Sequence, residues 1–117
     1  MRDDRARLVD MLDAMNNIQN YSVLGKERFQ RDELVRTYII YQLQVLGEAA
    51  YKLTPNFRSD HPDVPWPKVM GMRHFLVHDY FRVNYDMVWD TTVTDLPPLK
   101  TKIEGILSEY DNVLGHH

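Results

Sequence analysis

The chain predicts an all-α fold, an antiparallel bundle of four long helices plus a short extra one. Three observations lead there. Apolar residues recur at three- and four-residue intervals in several separate segments. No segment sustains the apolar–polar alternation of a half-buried strand. The breaks between periodic segments carry Gly, Pro, Asn and Asp, which start, stop or cap helices. At 117 residues the chain reads as a single domain over 1–117. A domain of this size buries roughly two-thirds of the surface its unfolded chain exposes, enough for a core without staples.

The first helix is expected from about Asp3 to Asn20, with Leu8, Met11, Leu12, Met15 and Ile18 at helical spacing. Asp3 and Asp4 suit its positive N-terminal end. Gly25 falls in the connection that follows, and Lys26, Arg28 and Arg31 read as a solvated face. Asp32 is the expected N-cap of the second helix. That helix carries two apolar stripes. One is Val35, Ile39, Leu43, Leu46, Ala50 and Leu53; the other is Leu34, Tyr38, Tyr41, Val45 and Ala49. Together they are wider than one packing face needs, which points to a central helix or a second subunit.

Pro55 is expected to end the second helix, and residues 55–67 read as a proline-punctuated connection. Pro65 or Pro67 fits the first turn of a third helix bearing Trp66, Val69, Met70, Arg73, Leu76 and Val77, ending near His78 to Tyr80. Asn84 is the expected cap of a fourth helix with Tyr85, Val88, Trp89 and Thr92 on one face. Pro97-Pro98 is expected to break it before a fifth helix with Leu99, Ile103, Ile106, Leu107 and Tyr110.

Composition narrows the chemistry. There is no cysteine, which excludes disulfides, thiolate metal sites and cysteine nucleophiles and fits a reducing cytoplasm. No apolar run is long enough to span a bilayer, and no signal-peptide pattern opens the chain, so no membrane partner is expected. The formal net charge of −3 argues against a protein that coats nucleic acid through bulk positive charge. It leaves room for an enzyme that meets RNA at one local cationic pocket.

The densest chemistry lies in Met72-Arg73-His74-Phe75-Leu76-Val77-His78-Asp79-Tyr80. A guanidinium grips anionic oxygens in a planar fork, an imidazole moves protons near neutral pH, and a phenol stacks or is modified. On a straight α-helix at ~100° per residue, Arg73 and Tyr80 nearly superpose, while Arg73 and His78 diverge by roughly 140°. One straight helix therefore does not aim Arg73 and His78 at one point. Either the helix ends near His78 or the site draws on two subunits.

Bland alternatives stand beside each role. Arg73 on an apolar face wants a carboxylate, and Glu48 is the best candidate; that pairing and a functional role are compatible. His78 suits a helix C-terminus, and Tyr80 suits packing. His74 and His78 have the i, i+4 spacing of metal ligands, but Phe75 follows His74, so the zinc motif with Glu in that place is absent and no metal is expected. Trp66, Trp89 and Phe81 are able to stack bases, with Trp89 placed as a core residue by its spacing.

Arg-x4-His-x-Tyr, as Arg73, His78 and Tyr80, resembles the signature of the HepT toxins, small helical ribonucleases of the HEPN superfamily. The resemblance extends to Leu46-Gly47-Glu48-Ala49-Ala50, Leu76-Val77-His78-Asp79-Tyr80-Phe81, Val88-Trp89-Asp90 and Asp95-Leu96-Pro97-Pro98-Leu99, and so covers most of the chain. It implies a HEPN-like bundle and a metal-independent endoribonuclease without cofactor. Arg73 and His78 would be catalytic, with His74 and Glu48 assisting. His74 stands where the family usually has Asn.

The resemblance further implies a homodimer whose motifs line one cleft. It also implies a cognate nucleotidyltransferase antitoxin, of the MNT type, that AMPylates Tyr80 and silences the toxin in a type VII-like system. Higher assemblies with the antitoxin are compatible with it. The alternative is a non-catalytic helical module that binds nucleotide or RNA and docks a nucleotidyltransferase.

Overall fold

The computed structural model describes residues 3–74 and 84–115. Helix α1 spans Asp4–Ser22, α2 Lys26–Arg31, α3 Glu33–Tyr51, α4 Pro55–Asp60 and α5 Trp66–Gly71. A 3₁₀ turn, Met72–His74, follows α5. Helix α6 spans Tyr85–Asp90, a π-helical segment covers Thr91–Asp95, and α7 runs over Leu96–Gly115. Among the described residues there is no strand, so the all-α expectation holds.

Helix α3 is the centre of the bundle. Helix α1 packs along it, α7 lies against α1, and α5 with the 3₁₀ turn seats on α3. The reason is legible in its first stripe: Val35, Ile39, Leu43, Leu46 and Ala50 are all buried, as is Leu53 just beyond the helix. They meet Leu8, Met11, Met15 and Ile18 of α1, each with no exposed surface. The second stripe is only partly used. Ala49 is buried, but Tyr41 is 55% and Leu34 82% exposed, so the chain's own core does not cover that flank.

The two expected caps, Asp32 and Asn84, form, and Asp3 caps α1 as well. Asp3 accepts from the Ala6 amide at 2.9 Å, Asp32 from Leu34 and Val35 at 3.0 and 3.3 Å, and Asn84 from Met87 at 3.0 Å. Each bond satisfies an amide that the first helical turn leaves without a backbone partner. Two contacts hold the start of α1. Asp4 accepts from the Thr54 amide and hydroxyl at 2.9 and 2.8 Å, and Arg5 forks onto Asp111 of α7 at 2.7 and 3.1 Å.

Three expectations change. Residues 26–31 form a short helix where a connection was expected; Gly25 at φ 96° turns the chain into it, and Phe29 is its one buried residue. A six-residue helix with one apolar anchor has too little periodicity to read. Its cations are nonetheless solvated, in exposed pairs of Lys26 with Asp86, Arg28 with Asp32 and Arg31 with Glu27. Second, 55–67 is not all connection. Thr54 caps α4, accepting from the Phe57 amide at 3.3 Å, and Pro55 sits in its first turn. Helix α3 has already ended at Tyr51.

Third, Pro97-Pro98 does not break the last helix. Helix α6, the π segment and α7 follow without interruption, with both prolines in the first turn of α7. In a regular α-helix the two rings would crowd the carbonyls of Val93 and Thr94 and leave them unpaired. The π segment widens the turn just before them, and the Leu96 amide reaches back to the Thr91 carbonyl. Val93 and Thr94 are exposed, on the side of the helix where solvent can reach unpaired carbonyls.

Candidate active site

The site is assembled on one face of α3. Gln44, Gly47, Glu48 and Tyr51 recur at three- and four-residue steps, so they stand above one another on the helix. The 3₁₀ turn carrying Arg73 lies across this face. Gly47 lets it come close: a Cβ there would sit 2.5 Å from the Arg73 amide nitrogen and 3.0 Å from the Val69 carbonyl oxygen. Gln44 adds a long bond from Nε2 to the Arg73 carbonyl, 3.5 Å.

Helix α5 does not carry through the described part of the motif as an α-helix. It ends at Gly71 and tightens to 3₁₀ geometry over Met72–His74. Met72 is the buried anchor of the tighter turn, with 2% of its surface exposed. Angles drawn for a straight α-helix therefore do not apply across Met72–His74. The expected helix end near His78 to Tyr80 lies outside the described residues, as do His78 and Tyr80 themselves, Phe81 and Arg82.

The Arg73 side chain is half-buried and held by two groups. Its guanidinium stacks on the Tyr51 ring, 3.6 Å from guanidinium carbon to centroid. Its Nε donates to His74 Nε2 at 3.2 Å. That bond requires His74 Nε2 to carry no proton, since a protonated ring nitrogen only donates. A cation over an aromatic face is worth about 0.5–2 kcal/mol, rising as water is excluded. Of five guanidinium N–H groups, Nε–H is taken by His74; the four on the terminal nitrogens are the ones suited to a bidentate grip on phosphate.

The expected Glu48–Arg73 pairing does not form. Glu48 pairs with Lys52 at 3.6 Å, one turn along its own helix, with both side chains about half exposed at 48% and 47%. Glu followed by Lys at i+4 is the favourable order along a helix, and the Arg73 guanidinium is turned onto Tyr51 instead. Glu48 still shares a surface with Arg73, because both line a groove of about 610 Å³ between α1 and α3. Arg7 and Asp10 of α1 also line it, with Arg7 and Asp10 3.9 Å apart. The buried Arg7 Nε has no hydrogen-bond partner among the described residues.

Both tryptophans belong to the interior. Trp66 is 5% exposed and donates its indole N–H to the His61 carbonyl at 2.9 Å; Trp89 is 9% exposed and packs on Phe29. Neither offers a face for base stacking. Sequence reasoning missed Tyr51 and the role of Gly47. A glycine inside an otherwise strong helix is the signal that marks Gly47, since it costs about 1 kcal/mol against alanine and needs a packing reason. Nothing in the spacing marks Tyr51, because its partner comes from a turn 22 residues away.

Comparison with known proteins converges on one chemistry. A family model described as "Ribonuclease HepT-like" matches residues 11–106. The chain is 32% identical over 106 residues to "Probable ribonuclease HepT" of Thermococcus cleftensis, covering 90% of this chain and 96% of that protein. It is 31% identical over 104 residues to "Putative RNase MJ1380" of Methanocaldococcus jannaschii, covering 88% and 95%. A protein of Caldanaerobacter subterraneus subsp. tengcongensis, "Putative RNase TTE0752", shares 34% over 92 residues, covering 79% and 82%. No solved structure gives a significant match.

Proposed function

From its membership of the ribonuclease HepT-like family, we propose that this chain is a metal-independent endoribonuclease, the toxin half of a toxin–antitoxin pair. The observation that carries the reading is the presentation of Arg73. Its backbone is pressed onto α3 at Gly47, its guanidinium is stacked on Tyr51, and its Nε is engaged by His74. Among the described residues no carboxylate is ion-paired with it. A guanidinium so held is preorganised for an anion that arrives with the substrate.

The reaction follows from these groups. His78 takes the proton from an RNA 2′-hydroxyl, whose oxygen attacks the adjacent phosphorus. Negative charge builds on the non-bridging oxygens of the pentavalent phosphorane, where Arg73 donates through its terminal nitrogens. The bond to the 5′-oxygen breaks, and that oxygen takes a proton from water as it leaves. The products are a 2′,3′-cyclic phosphate and a 5′-hydroxyl. DNA lacks the nucleophile and is not cut. His74 assists by holding Nε, which limits rotation of the guanidinium.

Regulation follows the same chemistry. A cognate MNT-type nucleotidyltransferase transfers AMP from ATP to the Tyr80 hydroxyl, releasing pyrophosphate. The added phosphate brings negative charge near Arg73 and His78 in sequence, and the nucleotide occupies space meant for RNA. The exposed flank of α3, with Leu34 and Tyr41, supports a homodimer.

The deciding experiment incubates purified protein with RNA in the presence of a chelator and follows fragment ends. Cleavage to cyclic-phosphate ends, lowered roughly 10²-fold or more in Arg73→Ala and in His78→Ala, supports the reading. Tight binding of RNA that stays intact would replace it with a non-catalytic binding module.

A further inference from the structure

We propose that Tyr51 is a positioning residue for Arg73: its ring is the platform that aims the guanidinium, and it acts through Arg73 without touching RNA. The proposal rests on the ribonuclease reading above.

Three observations carry it. The Arg73 backbone is fixed by its contact with Gly47, but a long, rotamer-rich side chain still has to be aimed. The Tyr51 ring lies beneath the guanidinium carbon, 3.6 Å from it to the ring centroid, and His74 holds the Nε edge at 3.2 Å. A plane resting on one face and held at one edge directs its remaining N–H donors along one heading. The platform is itself anchored. Tyr51 is the last residue of α3, and its carbonyl accepts from Arg58 at 3.0 Å.

Tyr51 is also 50% exposed, which separates positioning from stability. Truncating a half-exposed ring opens no buried cavity, so the fold should tolerate its loss. The chemistry should not, since misplacing a charge-stabilising group by about 1 Å can cost ~10²-fold in rate.

The test compares Tyr51→Phe and Tyr51→Leu, each alone and combined with Arg73→Ala. Phenylalanine keeps the aromatic face and loses only the hydroxyl; leucine removes the face. Tyr51→Phe should cleave RNA at a rate close to wild type. Tyr51→Leu should lose roughly 10- to 100-fold in kcat with little change in KM or thermal midpoint. In the Arg73→Ala background, Tyr51→Leu should cause no further loss.

A second readout needs no catalysis. The ring current of Tyr51 should shift the Arg73 Nε–H resonance in wild type and Tyr51→Phe, and the shift should vanish in Tyr51→Leu. Unimpaired cleavage by Tyr51→Leu, equal impairment of both variants, or an unshifted Nε–H resonance in wild type would overturn the proposal. If wild type cuts no RNA, the ribonuclease reading fails, and the resonance alone decides whether Tyr51 positions Arg73.

Discussion

Gly47 and Arg73 meet backbone to backbone: a Cβ on Gly47 would stand 2.5 Å from the Arg73 nitrogen and 3.2 Å from its Cα. Those atoms belong to a main chain anchored by buried Met72, so they cannot swing aside as a flexible side-chain tip would. Two effects compete in Gly47→Ala. Alanine gains about 1 kcal/mol of helix propensity, while overpacking against fixed backbone costs about 1–3 kcal/mol. The clash should prevail. Gly47→Ala should lower the urea midpoint modestly and reduce RNA cleavage more than stability alone explains. Unchanged cleavage with a raised midpoint would show that the turn moves freely.

Arg58 closes the C-terminal end of α3. One of its terminal nitrogens donates to the carbonyls of Ala50, Tyr51 and Leu53. A cation at that end also faces the negative pole of the helix. Arg58→Met should cost about 1.5–3 kcal/mol in chemical denaturation, the range for hydrogen bonds involving a charged group. It should also loosen Tyr51, so cleavage should fall in step with Tyr51→Leu.

The sequence made the scaffold readable wherever periodicity was long. The stripes of α1 and α3, the Asp32 and Asn84 caps and the core of α7 all follow from spacing and cap chemistry. Short elements escaped, because α2 and α4 each bury a single aromatic residue, Phe29 and Phe57, and show no period. Pro97-Pro98 misled because a proline pair signals a break, and the π segment that accommodates it leaves no mark in spacing. At the site, the motif singles out Arg73, but its partner was misjudged. Glu48 is the obvious carboxylate, whereas the structure supplies an aromatic face, and charge complementarity alone does not reveal that choice.

Acid should weaken the fold in a defined window. Asp32 and Asp111 are held below the ordinary carboxylate value of 3.8, first by side-chain hydrogen bonds from Arg28 and Arg5 respectively. A carboxylate whose folded pKa is depressed stabilises the fold fully above its unfolded value and stops doing so as pH falls through the folded one. Wild type should therefore melt higher than Asp111→Asn at neutral pH. The gap should close as pH drops below about 3.8. A gap that persisted in strong acid would mean the Arg5–Asp111 fork does not act through its charge.

Tyr80 provides a separate regulatory check. Incubated with the proposed cognate nucleotidyltransferase and ATP, the protein should gain mass in whole AMP increments and lose nuclease activity. Tyr80→Phe should stay unmodified and active. Mapping of the adduct to another of the tyrosines would reassign the modified residue.

Arg73 and His78 are proposed to cut RNA together, without metal. The most direct measurement is cleavage of a defined RNA in excess chelator by wild type, Arg73→Ala and His78→Ala, with folding of each variant verified by circular dichroism. Wild type should yield 2′,3′-cyclic phosphate ends, and each substitution should lower the rate by roughly 10²-fold or more. Undiminished cleavage by both variants, or cleavage that appears only when a divalent ion is supplied, would contradict it.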